Sequence, residues 1–308
     1  MKVLVTPRSF GKTDPSVFDV LKNAGLEIVC NNSGGILSEE QISDLVSDCH
    51  GVILGVDPFT KKVIDNAPHL KAIAKYGVGV DNIDLDACKA RDITVSRTVG
   101  ANANAVADYA FALVLAVARK VIPIDIGCRK LDWGKSTSID VFGKTMGLIG
   151  LGAIAKGVAA RAKGFGMKVL SHDVFWDNDY ATKEGIEKAD LPRIYKEADF
   201  ISLHVPLTEE TRNMIGEAEI ATMKPTTVII NTARGGIINE DALLKALQSN
   251  KIYGAGLDAF EQEPPTNTAW FSLDNVVIGS HCAASTVGAT EQMGRMAAEN
   301  IIRDLKNQ

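Results

Sequence analysis

Short Val/Ile/Leu-rich runs alternate with longer helical patterns along nearly the whole chain, and this alternation limits the available folds more than any other feature. In the first third the runs fall at 3–5, 27–30, 51–54, 72–74 and 94–95, with helical patterns between them, as at 14–24 and 38–47. A second series falls at 145–149, 168–171, 200–204, 227–231, 254–258 and 276–279. Continuous apolar runs of this length suit strands buried on both faces, and intervening helices join such strands in parallel. The pattern predicts an α/β protein with two parallel sheets, each doubly wound with helices on both faces. Residues 102–130 read as one long helix broken near Pro123. The helical pattern at 287–305 is expected to return to the first unit. One domain then comprises 1–100 and 286–308, and the other 101–285.

At 308 residues the chain exceeds what one small core serves. Its net charge of −5, without any basic run, argues against a nucleic-acid partner, because phosphate backbones select clustered Lys and Arg. The longest apolar run, 109–118, is too short for a membrane span of roughly 20 residues and reads as a buried helix. The opening residues read as a strand rather than the apolar core of a signal peptide. Cys30, Cys49, Cys88, Cys128 and Cys282 form no C-x-x-C pair, which suits reduced thiols and a cytoplasmic location. The histidines show no metal-ligand spacing, and no metal is expected.

The chemistry begins at Gly150-x-Gly152-x-x-Ala155, which follows a strand and opens a helix. Gly150 permits the tight turn, Gly152 lets backbone approach a pyrophosphate, and a small third residue lets helix and strand pack closely. The helix N-terminus, with Ala153 and Ile154, offers N–H groups and a positive dipole end. Asp173 ends the next strand, 23 residues after Gly150, where a carboxylate can bind the adenosine ribose hydroxyls. That charge repels a 2′-phosphate, so the expected cofactor is NAD rather than NADP.

Three later segments each follow a buried-strand pattern and each offer one reactive polar group: Arg234 in NTARGG, Glu263 in GLDAFEQEP and His281 in GSHCAAS. Arginine grips a carboxylate through two parallel hydrogen bonds. Histidine donates a proton near neutral pH, and a neighbouring carboxylate holds it charged. With a hydride donor, these groups suffice to reduce a 2-keto acid. Glu261 reads instead as a solvated loop residue.

With these motifs in this order, and with the segment KYGVGVDNID at 75–84, the chain resembles the D-isomer-specific 2-hydroxyacid dehydrogenases. It is most similar to the phosphoglycerate-dehydrogenase-like branch. The resemblance spans essentially all 308 residues. It implies two Rossmann/flavodoxin-like domains with the active site in the cleft between them. It also implies that His281 donates a proton to the developing alkoxide, that Glu263 orients His281 and raises its pKa, and that Arg234 binds the substrate carboxylate or carbonyl. Val205, Pro206, Thr232, Ala233, Asp258 and Ala284 would contact the cofactor. Backbone N–H groups of Gly77, Val78 and Gly79 would cradle the substrate carboxylate, with Lys75 and Asn102 as further substrate contacts. A homodimer follows by the same resemblance, with helix 104–118 and the loop after it as contact surface.

Two departures bear on the substrate. Cys282 and Ala283 make the loop after His281 bulkier than the family's usual glycine there. Branch members that act on a phosphorylated substrate commonly hold its phosphate with arginines near the third strand and in the substrate loop. This chain has Leu54-Gly-Val-Asp57 and Lys75 at those places. Lysine cannot make the bidentate grip, and Asp57, if it faces the cleft, would repel a phosphate. No regulatory extension follows 308, so feedback control through one is not expected. The reading is thus an NAD-dependent oxidoreductase interconverting a D-2-hydroxy acid and its 2-keto acid. Its candidate activities are 3-phosphoglycerate dehydrogenase and, as the alternative, glyoxylate/hydroxypyruvate reductase; a non-catalytic NAD-sensing binding protein is the competing class.

Overall fold

A computed structural model describes residues 1–307 as two compact units, one of residues 1–102 with 285–307 and the other Ala103–Ala284. In the first unit β1 (Lys2–Val5), α1 (Ser16–Asn23), β2 (Glu27–Cys30), α2 (Glu39–Val46), β3 (Gly51–Leu54), α3 (Lys61–Asp65), β4 (Ala72–Lys75), α4 (Leu85–Ala90) and β5 (Thr94–Arg97) alternate without interruption. All strands pair in parallel in the order β2-β1-β3-β4-β5, the flavodoxin-like arrangement. Side-chain alternation sorts the strands' apolar residues onto two faces. Leu4, Val52, Leu54 and Ile73 pack with Ile42, Val63 and Cys88 of α2, α3 and α4. Val3, Val5, Ile53 and Ala74 pack with Leu21 of α1 and with Ala297, Ile301 and Leu305 of the C-terminal helix, Val287–Lys306. Each fully buried Leu or Ile in such a layer contributes about 1.5–3 kcal/mol. That apolar stripe returns the chain's last helix to its first sheet.

The second unit opens with α5 (Ala103–Ala118) and α6 (Val121–Arg129). It continues through β6 (Thr145–Ile149), α7 (Ala153–Gly164), β7 (Lys168–His172), α8 (Asn178–Glu184), β8 (Glu187–Lys188), α9 (Leu191–Glu197) and β9 (Phe200–Leu203). Then come α10 (Glu217–Thr222), β10 (Val228–Asn231), α11 (Glu240–Gln248), β11 (Gly254–Leu257), a 3₁₀ turn (Thr268–Ser272) and β12 (Val276–Ile278). The seven parallel strands run β12-β11-β10-β9-β6-β7-β8. This is the dinucleotide-binding order, in which the direction of winding reverses between β6 and β9. One face is covered by α5 and α7 through Val114, Ala155 and Val158, and the other by α9, α10 and α11 through Ile194, Ile220 and Leu243.

The long helix expected at 102–130 breaks before Pro123, not at it. Lys120 adopts a left-handed conformation, φ 52° and ψ 38°, and α6 starts at the next residue. Proline has no N–H to return to an upstream carbonyl, so it settles in the first turn of a new helix, where none is needed. β8 is two residues long and carries no apolar run, so no strand is legible there from the residues alone. Among the described residues no helix is long and apolar enough to cross a membrane.

Candidate active site

The reversal between β6 and β9 places two loops side by side at the carboxyl edge of the seven-stranded sheet, the usual ligand crevice of such folds. Gly150 lies there at φ +97°, and a Cβ on it would sit 2.7 Å from the His204 carbonyl oxygen. Both facts require glycine. Gly150 N–H donates to the His172 carbonyl at 2.7 Å. Leu151 N–H donates to Asp173 Oδ2 at 2.5 Å, and Phe175 N–H to Asp173 Oδ1 at 2.7 Å. Asp173 therefore closes the loop while each oxygen keeps a further lone pair for a hydroxyl.

Several observations fit a bound dinucleotide. Gly152 precedes α7 without a side-chain cap, nothing lies within 4 Å of where its Cβ would be, and Ala153 beside it is exposed. The first-turn N–H groups of α7 are thus presented to an anion. Ile154 is half-buried, while Ala155 is fully buried under the helix. Thr232 Oγ1, just past β10, is buried with no partner among the described residues. A Val205 methyl carbon lies 3.3 Å from the same Gly150 position, and the Pro206 carbonyl accepts from Thr211 Oγ1 at 2.7 Å. His204, just past β9, has its imidazole pushed down to about 3 by burial and shares a 2.9 Å hydrogen bond with Ser202. It is a neutral wall group.

Arg234, Glu263 and His281 follow β10, β11 and β12, three adjacent strands. Asn231, 2% exposed at the end of β10, clamps the first loop: Ala233 N–H donates to its Oδ1 at 3.0 Å, and its Nδ2 donates to the Arg234 carbonyl at 2.7 Å. One Arg234 guanidinium N–H donates to the Ala233 carbonyl at 2.7 Å. His281 Nδ1 lies 2.9 Å from both oxygens of Glu263, and Phe260 N–H donates to Glu263 Oε1 at 3.1 Å. Burial pushes the Glu263 carboxyl up. Its hydrogen bond to His281 and the charge there, with the Phe260 N–H and the Arg234 charge, outweigh that and hold it below the ordinary carboxylate range. With Nδ1 engaged, Nε2 is the ring atom left to exchange a proton. This is an orienting carboxylate, a proton carrier and a cation on one sheet edge.

Asp258 at the end of β11 is 1% exposed and bonds the loop that carries His281. Cys282 N–H donates to Oδ1 at 3.0 Å and Ala283 N–H to Oδ2 at 2.9 Å. The Cys282 thiol contacts the same Oδ1 at 3.7 Å, and Ala284 ends the turn half-buried. Between these clips and Glu263, His281 is held at φ 55°, left-handed for a residue with a Cβ.

The residues expected at the substrate belong to the first unit. Gly77 N–H has two acceptors within that unit, Thr98 Oγ1 at 2.9 Å and the Lys75 carbonyl at 3.0 Å. Val78 and Gly79 N–H have no hydrogen-bond partner among the described residues. Lys75 is 5% exposed, and its ammonium donates to the Gly55 carbonyl and, at 2.8 Å, to Asn82 Oδ1. Asp57 faces no open cleft. It is 3% exposed and accepts from Thr6 Oγ1 and, at 2.8 Å, from Leu37 N–H. Asn102 Oδ1 is buried without a partner.

Residues 111–283 match the family model described as D-isomer specific 2-hydroxyacid dehydrogenase, NAD binding domain. A glyoxylate reductase of Thermococcus litoralis is 44% identical over 266 residues, which cover 83% of this chain and 80% of that protein. A D-3-phosphoglycerate dehydrogenase of Methanocaldococcus jannaschii is 39% identical over 276 residues, covering 88% of this chain and 53% of that one. The crystal structure of a D-lactate dehydrogenase from Aquifex aeolicus complexed with NAD and lactic acid superposes with a TM-score of 0.86 at 30% identity, covering 99% of this chain and 96% of that one. The chain belongs to the D-isomer-specific 2-hydroxyacid dehydrogenases and is an NAD-dependent oxidoreductase of 2-hydroxy and 2-keto acids.

Proposed function

We propose that this member of the family reduces a short, unphosphorylated 2-keto acid, with glyoxylate as the first candidate and hydroxypyruvate as the second. The observation that carries the reading is the His281–Glu263 pair, with Arg234 following the neighbouring strand. NADH, bound against Gly150, Gly152 and Asp173, supplies the hydride. Arg234 holds the acid and stabilises the negative charge that develops on the carbonyl oxygen. His281 delivers the proton from Nε2 to that oxygen, and Glu263 on Nδ1 fixes the ring and balances its charge. In oxidation the same Nε2 takes the proton back. Val78 and Gly79 N–H and Asn102 Oδ1 are the first unit's candidate substrate contacts, Val205, Pro206, Thr232, Ala233 and Ala284 further cofactor contacts.

Two observations support the unphosphorylated class. Asp57 and Lys75, which replace the phosphate-holding positions, are enclosed in hydrogen bonds of their own unit. The glyoxylate reductase relative matches over most of its length, the phosphoglycerate one over about half. The test is initial-rate reduction of glyoxylate, hydroxypyruvate, pyruvate and 3-phosphohydroxypyruvate with NADH and NADPH. Glyoxylate or hydroxypyruvate with NADH should give the highest kcat/KM, and a preference for the phosphorylated acid would refute the reading.

The same reading makes the protein a cytoplasmic homodimer. All five cysteines are free, which supports a reducing compartment. The apolar helix first expected to form the contact is largely core, with Ala110, Val114 and Val117 buried. The exposed apolar surface is on α6 and just after it: Val121, Ile122, Ile126, Leu131 and Trp133. A monomer mass by light scattering at micromolar concentration would exclude the dimer.

A further inference from the structure

We infer that Glu240, on α11, is a positioning residue for the acid–base pair: its carboxylate fixes the peptide from which Glu263 reaches His281. This rests on the dehydrogenase reading of that pair. The loop between β11 and the 3₁₀ turn has to present Glu263 to two donors at once, Phe260 N–H and His281 Nδ1. A loop held only at its ends would not do this within the few tenths of an ångström that proton transfer tolerates.

Three contacts fix one peptide unit, the bond from Phe260 to Glu261. Its face lies against Gly235, where a Cβ would fall 2.0 Å from the Phe260 carbonyl carbon and 2.1 Å from Glu261 N. Its side chain at Phe260 is buried and meets the Trp270 ring edge-on, with centroids 5.7 Å apart. Its N–H donates to Glu240 Oε1 at 2.6 Å, a charge-assisted bond and the only one of the three that is directional. Gly235 and Trp270 stop the peptide from moving along its normal, and Glu240 stops it from turning. Rotation of this peptide would shift Glu263 relative to both of its partners, Phe260 N–H and His281 Nδ1.

Glu240 is itself held in place. It is the first residue of α11, directly after Asn239, whose side chain accepts from Ala242 N–H at 2.9 Å and whose N–H donates to the Ile215 carbonyl at 2.9 Å. The charged groups facing Glu240 are Asp241 on its own helix and Glu261 and Glu263 on the loop. Burial and these like charges raise its pKa, and the Glu261 N–H opposes the shift. α11 thereby links the strand end that carries Arg234 to the loop that carries Glu263.

The experiment compares Glu240→Ala with Glu240→Gln in the full chain. Gln keeps an acceptor for the Glu261 N–H and removes the charge; Ala removes both. Measured on whichever 2-keto acid the wild type turns over, Ala should lower kcat about tenfold with KM for NADH unchanged. Gln should restore kcat to within about twofold of wild type. Independently of turnover, hydrogen exchange at the Glu261 amide should speed up in Ala and stay slow in Gln. The imidazole N–H resonance of His281 should be lost or shifted in Ala alone. Wild-type kcat and wild-type exchange in the Ala variant would overturn the inference. Equal loss in both variants would overturn it too, because charge rather than the directional bond would then be at work. A wild type inactive on every keto acid would sink the dehydrogenase reading, while the exchange data would still judge the Glu240 contact.

Discussion

At the carboxyl edge of the five-stranded sheet, Thr6, Gly55, Asp57, Lys75 and Asn82 bond to one another. Lys75 donates to the Gly55 carbonyl and Asn82 Oδ1, Asn82 Nδ2 donates to the Asp57 carbonyl at 2.6 Å, and Asp57 accepts from Thr6 and Leu37. At the same edge of the seven-stranded sheet the groups point outward from their anchors. Thr232 Oγ1 has no partner among the described residues, α7 starts without a side-chain cap, and His281 engages Glu263 through one nitrogen. Both edges come from one strand geometry and similar apolar layers. The cluster of five at the first edge satisfies its polar atoms internally and so gains rigidity, with Val78 and Gly79 N–H and Asn102 Oδ1 as that unit's exceptions, while the second edge leaves its groups for a reacting molecule. A substitution at the first edge should therefore show as stability, and one at the second as rate.

The sharpest way to break this contrast is His281→Asn. Removing the proton carrier should lower kcat for keto-acid reduction by about 10²–10⁴-fold. NADH affinity, read by fluorescence titration, should stay near wild type. A loss of less than about tenfold would place the proton transfer elsewhere.

Arg234→Lys comes next. Lysine keeps the charge but not the planar fork, so kcat/KM should fall about 10²-fold or more, largely through the acid's binding. Steady-state kinetics with glyoxylate checks this, and a lysine variant with wild-type kcat/KM would remove the bidentate grip from the account.

Asp57→Ala tests the opposite edge. It leaves Thr6 Oγ1 and Leu37 N–H buried without an acceptor, at a cost of about 1–3 kcal/mol for each unsatisfied group. The midpoint of thermal unfolding should drop by several degrees while kcat near room temperature stays close to wild type. If kcat collapsed with an unchanged midpoint, the division between the two edges would be wrong.

The smallest effect is one of pH. Glu263 in the fold lies below the ordinary carboxylate range. Its ionised form therefore favours the folded state above that range, and the contribution is lost as pH falls through the depressed value. Glu263→Gln should be less stable than wild type at pH 7, and the difference in midpoint should shrink below about pH 4. A difference that does not change with pH would mean that the pair contributes packing alone.

Legibility in the sequence tracked how locally each feature is determined. The strands, the Gly150 loop and the three late motifs could be read because four to nine consecutive residues specify each. Pro123 marks the helix break but not the residue that turns, because its missing N–H acts on residues upstream of it and Lys120 takes the left-handed conformation. The bond from Gly77 N–H to Thr98 is not legible in the sequence, because the two residues stand 21 positions apart. The internal bonding of Asp57 could not be read because Thr6, its partner, is 51 residues distant and meets it only when β1 and β3 pair. Glu240 went unnoticed for the same reason: nothing in the helix start at 239–242 indicates a loop 21 residues further on.

His281 stands at φ 55°, and a side chain with a Cβ in that region costs on the order of 1–3 kcal/mol. Glycine at that site would relax the backbone and abolish the chemistry. Laboratory selection for heat resistance alone would therefore drift toward a sturdier, inert protein, and any stabilisation campaign on this chain has to screen for turnover at every round.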